Sequence, residues 1–419
     1  MTALALPTIS DFAEEGFNPF TAAKELGGER HVTNPHDEYH HLRAISPVYE
    51  GELKVLLGLP SDLTLTEHRH FWILAFEEAK RVLTDSTHFS ASAYMSSVGL
   101  YFGPRAISIM DDPEHARVRK IMQPIFGPAA IRRWNEEMIP RTINTLIDAF
   151  KDRGRADLVD VFTLRFPFHF IHELMALPEE HREVFHKLAF GQLMVTFDQE
   201  HGLEAVEKIR DYVTKLIAWR RERGDEHDFV TALATHQADG EQLDQEVIIS
   251  FFRQLMNAGG ETSYNAFSNL MVALLTNPDQ LDMVRKDRSL VPAAIEESLR
   301  WEPPVCQALR TPVEAIEIAG HVIAPGDLIA FSLSAINRDP AQFGDPDRYN
   351  VYRGTKNHAA FSMGAHMCVG QHLARGEMAT ALNLLLDRVP RLRLDTDYPE
   401  PTISGFMLRG PETIRVRFD

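Results

Sequence analysis

Cys368 lies in the segment Phe361-Ser-Met-Gly364-Ala-His366-Met-Cys368-Val-Gly370, flanked by glycines that permit tight turns and close approach to a flat ligand. From Gln371 onward the sequence is strongly helical. The cysteine therefore sits just ahead of a helix N-terminus, where free amides and the helix dipole favour a thiolate over a thiol. Phe361, seven positions earlier, is placed to pack against the sulfur and keep water away. For an isolated cysteine, a buried structural side chain in a glycine-containing loop is the competing interpretation. The only other cysteine is Cys306, so a disulfide framework and a four-cysteine zinc site are both excluded.

A second group of reactive residue types is Ala258-Gly259-Gly260-Glu261-Thr262-Ser263, inside a run apolar on nearly every side from Gln245 to Leu275. Two glycines in a helix interior cost roughly 1 kcal/mol each relative to alanine. A buried acid adds a desolvation cost unless it is partnered or protonated. Together they suggest a local widening for a small ligand such as dioxygen, beside an acid–alcohol pair able to pass protons. The structural alternative is a packing contact at the glycines, with Thr262 bonding back to the preceding turn. Further along, Glu297 and Arg300 share a helix face just before Trp301-Glu-Pro-Pro ends that helix, and Arg348 follows in a turn-rich stretch. His115 and Arg119 lie four apart on another predicted helix, and Arg310 follows Pro303-Pro304.

The elements that must position these residues are mostly helices. Alternation around Pro47–Leu57 and His70–Phe76 predicts early strands. Helical spacing dominates from about Asp112 to Leu290, including Ala129–Phe150 and Leu203–Arg223. Short strands are expected at Ala315–Ile318, His321–Ile323, Asp327–Ser332, Arg391–Asp395 and Thr413–Phe418. The expected fold class is mainly α with a smaller β region, as one domain over residues 1–419.

Taken in order, these motifs resemble those of the cytochrome P450 superfamily. The run Phe-x-x-Gly-x-His-x-Cys-x-Gly, followed by Leu373-Ala374-Arg375, resembles its haem-binding signature, with Ser362 in place of the more usual glycine and Met367 where an aromatic residue is frequent. The resemblance implies haem b (iron protoporphyrin IX) between the two helices, with Cys368 as iron ligand. Phe361, His366 and Gly370, with Ala258 and Gly259 opposite, would border the cofactor. His115, Arg119 and Arg310 would bind the propionates, and His366 would face one. Glu261 and Thr262 would deliver protons to O2. Glu297, Arg300 and Arg348 would lock the core on the cysteine side.

The implied reaction is insertion of one oxygen atom from O2 into a hydrophobic small molecule, most simply a hydroxylation. Two cysteines cannot hold an iron–sulfur cluster that needs four. Electrons are therefore expected from a ferredoxin and its NAD(P)H-dependent reductase, docking on Arg119, Lys120, Arg132, Arg133, Lys356 and His372. The substrate pocket is expected from Tyr94, Met95, Leu100, Tyr101, Phe190, Met194 and Phe197, with Met256, Val305, Leu309, Phe406 and Met407. Its apolar lining suits a terpenoid, steroid, aromatic or fatty-acyl compound. An H2O2-driven peroxygenase and a non-catalytic haem sensor are the alternatives. The first fits poorly with an acid–alcohol pair, and the second has no need of one.

Composition bounds the partners. With 43 basic against 60 acidic residues the net charge is −17, which disfavours nucleic acid. The first residues carry no basic leader and no apolar run approaches the roughly 18 residues of a membrane span, so a cytoplasmic protein without membrane insertion is expected.

Overall fold

The computed structural model describes residues 6–26, 31–61, 68–196, 198–223, 228–238, 240–354 and 357–418. Helices dominate, and the one that organises the rest is the 32-residue helix Gln245–Thr276, hereafter the long helix. It starts where the Asp244 carboxylate accepts a bond from the Val247 amide at 2.9 Å, and stops at Asn277-Pro278, where proline cannot continue the ladder. Its apolar residues, from Val247 to Leu275, lie almost wholly in the main hydrophobic core. A helix apolar on all sides can only be stable inside a large fold.

The helix Gln371–Arg388, hereafter the cysteine helix, contributes Leu373, Met378, Ala381, Leu382 and Leu385 to the same core. The helix Arg165–Leu174 packs directly against the long helix. A methyl group added at Gly260 would collide with the Phe168 ring, and one at Gly259 with Ile171. The long helix stays helical through both glycines. The glycine pair therefore allows this close helix packing, as the structural alternative expects.

A five-stranded sheet flanks the helices in the order Val48–Glu50, His70–Ile73, Leu328–Ser332, Gln307–Pro312, Phe89–Ser90. Its second and third strands run parallel; the other pairings are antiparallel. Both central strands are buried throughout, and the register sets Arg310 opposite Ile329 near the sheet centre. Three short strands, Arg393–Leu394, Arg415–Arg417 and Arg155–Asp157, tie the end of the chain to its middle.

The mainly α reading with a smaller β region holds, with local differences. The early strand is confined to Val48–Glu50, and Leu53–Leu56 closes into a helical turn. The next strand ends at Ile73, because Phe76 opens a helix whose first amide bonds the Asp339 carboxylate at 2.8 Å. Both are tertiary effects that a two-residue alternation cannot report. Among the described residues no helix is long and apolar enough to cross a membrane.

Candidate active site

Cys368 sits where the 3-10 turn Gly364–His366 hands over to the cysteine helix. Its amide donates to the Phe361 carbonyl at 3.0 Å, closing the loop on itself. Gly364 has φ 70° and lies against the Leu83 carbonyl, so no side chain fits there. The guanidinium of Arg375 lies 4.5 Å over the Phe361 ring and is fixed by Glu296, whose carboxylate also meets His358 at 3.1 Å.

The sulfur is ringed by protein and yet exposed, so it faces an internal opening. Burial pushes the thiol up from its ordinary value; the Gly370 amide, the Arg119 and Arg375 charges and the Gln371 amide act the other way. The helix terminus thus donates to the sulfur as expected, but desolvation outweighs it. A metal cation at the sulfur would reverse that balance.

Around the same opening the structure gathers His115, Arg119, Arg310 and His366. The two imidazoles lie against each other, tilted by 31° with centroids 4.1 Å apart. His366 is pushed down to about 3 by burial and then by Arg310, His115 and Arg119. His115 is lowered by burial and Arg119, and its buried Nε2 has no partner. Arg119 donates to the Met367 carbonyl at 2.7 Å, and Arg310 to the Leu309 carbonyl at 2.7 Å. Among the described residues no carboxylate lies within ion-pair distance of Arg119 or Arg310. A buried cation is costly without a close counter-charge, so the cluster of buried Arg310 and half-buried Arg119 suits an anionic ligand.

On the long helix, the residues between Val247 and Leu275 that escape burial are Gln254, Ala258, Gly259, Glu261 and Thr262. They mark the stripe that faces an internal space. The Thr262 hydroxyl donates to the Ala258 carbonyl at 2.6 Å.

The family model for cytochrome P450 matches residues 167–417 of this sequence. The chain belongs to the cytochrome P450 family. It is 32% identical over 413 residues to the cytochrome P450 monooxygenase PikC of Streptomyces venezuelae, covering 94% of each chain. To the vitamin D(3) 25-hydroxylase of Pseudonocardia autotrophica it is 30% identical, covering 92% of this chain and 94% of that one. The solved structure of the cytochrome P450 PksS of the Bacillus subtilis bacillaene polyketide synthase superposes with a TM-score of 0.84 at 26% identity, over 96% of this chain and all of that one.

This cytochrome P450 is therefore an oxidoreductase of the monooxygenase class, and its family binds haem. The residues present fit that cofactor. A cleft-facing cysteine sulfur suits the iron, and buried cationic and imidazole donors, one with an orphaned nitrogen, suit two carboxylates.

Three further placements refine the sequence reading. Glu297 is fully buried and binds Arg300 at 2.8 and 2.9 Å, but the third member is Arg353, at 3.0 Å, not Arg348. Arg348 is exposed and contributes its main-chain carbonyl, which Arg300 and Arg353 both approach. Met194 and Met256 are buried, Met256 in the main core, whereas Met95 and Leu100 are exposed. Tyr94 accepts a bond from the Leu309 amide and meets Arg310, so it braces the cation cluster. Phe190 packs on Phe20 and Phe168, and Leu309, Phe406 and Met407 form a small cluster with Tyr94. Phe197 and Lys356 lie outside the described residues.

The sequence reading missed Gln254, on the exposed stripe, and Glu377. Glu377 is a fully buried acid of the cysteine helix, bonded to Ser263 beside Thr262. A lone acid at helical spacing gives no sequence signal that separates it from surface charge.

Proposed function

We propose that this enzyme inserts one atom of O2 into a C–H bond of a hydrophobic small molecule. The second atom leaves as water, using two electrons and two protons. Haem, when bound, supplies the O2 chemistry, and a thiolate ligand favours O–O cleavage. Cys368 would hold the iron, while His115, Arg119, Arg310 and His366 would receive the propionates. Phe361 and Gly370 would shield the sulfur side, with Ala258 and Gly259 opposite.

The observation that carries this reading is the exposed stripe of the long helix, which bears an acid–alcohol pair in an otherwise buried surface. Thr262 keeps a proton on Oγ1, parked against the Ala258 carbonyl, and its oxygen can still accept another. Glu261, next in the chain and half-buried, would replenish that proton through water. A peroxide-driven or sensing protein has no use for this arrangement. Apolar residues around the opening, and hydroxylases such as the vitamin D(3) enzyme among the relatives, support a bulky hydrophobic substrate.

Electrons would arrive from a ferredoxin and its NAD(P)H-dependent reductase. Lys120, Arg132 and His372 line one cleft beside the start of the cysteine helix, and Arg133 lines the neighbouring one. Arg119 turns inward and leaves the docking set.

The test is Thr262→Ala in the haem-loaded enzyme with redox partners and a turned-over substrate. Haem absorption and substrate affinity should be unchanged, while product per NAD(P)H falls about 100-fold, the low end for losing a proton donor. Unchanged coupling would overturn the proton role. Cys368→Ala should abolish the thiolate-type haem spectrum and Cys306→Ala should not.

A further inference from the structure

The helices Arg182–Gly191 and Gln199–Arg223 follow one another through the 3-10 turn Gln192–Thr196. Gln192 donates to the Arg253 carbonyl at 2.9 Å and to Asn257, next to Ala258 on the exposed stripe of the long helix. Leu193 packs with Tyr94, Tyr101 and Phe102, and Tyr94 meets Arg310. The turn thus reaches from the long helix to the segment that braces the cation cluster, across one side of the internal opening.

The segment Ile9–Phe20 is laid over both helices and fastened to each. The Asp11 carboxylate accepts from Lys187 of the first helix at 2.7 Å, and the Asp11 carbonyl accepts from Lys208 of the second. The Ala13 amide donates to Glu204 at 2.6 Å. Phe12 is buried against Gly191, where an added methyl group would collide with its ring. The segment therefore ties the two helices together and wedges the residue from which the turn departs.

At the middle of this fastening is His201. Its ring stacks on Phe17, with centroids 3.7 Å apart and planes within 4° of parallel. Nδ1 meets Asp198 at 2.8 Å, and Nε2 meets Glu14 of the segment at 3.2 Å. An imidazole can donate to two carboxylates at once only as the cation, which has two N–H groups. The other charged groups beside it are Glu204 and Lys208 on its own helix, paired at 2.9 Å. Burial lowers the His201 value, but Asp198 and Glu14 outweigh it and the net shift is upward. As pH rises through that raised value, His201 becomes neutral, keeps one N–H and releases one carboxylate. Covering apolar surface alone would ask for another phenylalanine at 201, not an ionisable ring between two carboxylates. The remaining ion pairs lie near the surface, where each is weak and screened by salt.

We infer that Ile9–Phe20 is a clasp whose fastening on His201 governs how fast ligands enter and leave the internal opening. Loss of the His201 proton frees Glu14, the two helices and their turn can lift from the long helix, and passage quickens. Ala13 and Glu14 are exposed on the outer side, so the clasp changes entry and exit together and leaves affinity alone. It acts whatever reaction the opening hosts.

The test is stopped-flow binding of 1-phenylimidazole to the haem-loaded enzyme, read by the shift of the haem absorption band and corrected for the probe's own protonation. In the wild type, association and dissociation rates should each rise about 5-fold from pH 6 to pH 8, with Kd constant. Glu14→Gln, a change at an exposed residue, should be as fast at pH 6 as the wild type at pH 8. His201→Phe keeps the stacking on Phe17 and should behave the same way. Protection of the Ala13 amide against hydrogen exchange, which needs no haem, should fall with pH in the wild type and be low throughout in both variants. Rates that are flat with pH in the wild type, a pH dependence that survives in both variants, or rate changes matched by changes in Kd overturn the inference. So does Ala13 protection that is indifferent to pH and to both substitutions.

Discussion

Single residues carry the chemistry here, and one of them sits in a conformation it does not favour. Ser362 has φ 60°, in the left-handed region where a side chain costs roughly 1–2 kcal/mol, at the position where the family signature more often has glycine. Ser362→Gly should therefore stabilise the folded protein. Relief of strain exceeds the added entropy of the unfolded chain, leaving about 0.5–1 kcal/mol. Denaturant unfolding of the haem-loaded protein measures this, and a loss of stability would mean that the serine hydroxyl makes a compensating contact. The cysteine motif was legible in the sequence because its glycines, histidine and aromatic residue are short-range requirements of one loop. The protonation of Cys368 was not, because a helix terminus is visible in sequence and desolvation is not.

At the scale of elements, the contacts that matter are those between helices. Glu377 is buried where the cysteine helix meets the long helix, and burial raises its carboxyl to about 8 despite a bond from Ser263. An acid raised on folding keeps its proton in the native state while the unfolded chain loses it near pH 4.3. Stability is then lost as pH rises from the unfolded value to the folded one, at up to about 1.4 kcal/mol per pH unit. Glu377→Gln should remove that slope. Its stability relative to wild type should rise steadily between pH 5 and 8, as followed by urea unfolding, and a pH-independent difference would show that the wild-type carboxyl is already ionised. The Glu297–Arg300–Arg353 trio makes a second prediction. Arg353→Ala removes one of the two guanidinium partners of Glu297 and the donor to the carbonyls of Asp345 and Arg348, and should cost about 1–3 kcal/mol, whereas Arg348→Ala should cost less than about 0.5 kcal/mol. Equal effects in thermal unfolding would contradict the geometry. Sequence spacing could not choose between arginines five apart in a turn-rich stretch. The choice is made by the Asn350 cap and by Gly354, which turns the chain at φ 68° and leaves Arg353 pointing inward. The long helix, by contrast, was legible to within a residue, because a 30-residue apolar run has only one home in a protein of this size. What the glycine pair packs against was not legible, since only the neighbouring helix brings Phe168 and Ile171 onto it.

At the scale of the whole molecule, net charge and local charge disagree. The chain carries −17, yet Lys120, Arg132 and His372 converge on one cleft near the cysteine. An acidic partner would be steered to that face and repelled elsewhere, so its association rate should fall with salt. The double variant Lys120→Glu/Arg132→Glu should slow reduction of the haem by a ferredoxin about 10-fold or more at low ionic strength and flatten the salt dependence. Stopped-flow reduction measures both, and unchanged rates would place docking elsewhere. The overall architecture was legible as a class, because helical and alternating patterns survive in any one window. The sheet order was not, since its strands come from residues 48 to 332 and no window spans them.

The deepest charge network joins the most distant parts of the chain. Glu302 accepts from His36, Arg338 and Arg409, and Arg409 also donates to the carbonyls of Val32 and Thr33, some 376 residues away. On the ribosome, Val32 and Thr33 emerge long before Arg409. The helix His36–Ile45 therefore has no finished seat until residue 409 has been made. A chain cut short before residue 409 would leave Glu302 missing one of its two guanidinium partners and the carbonyls of Val32 and Thr33 without their donor.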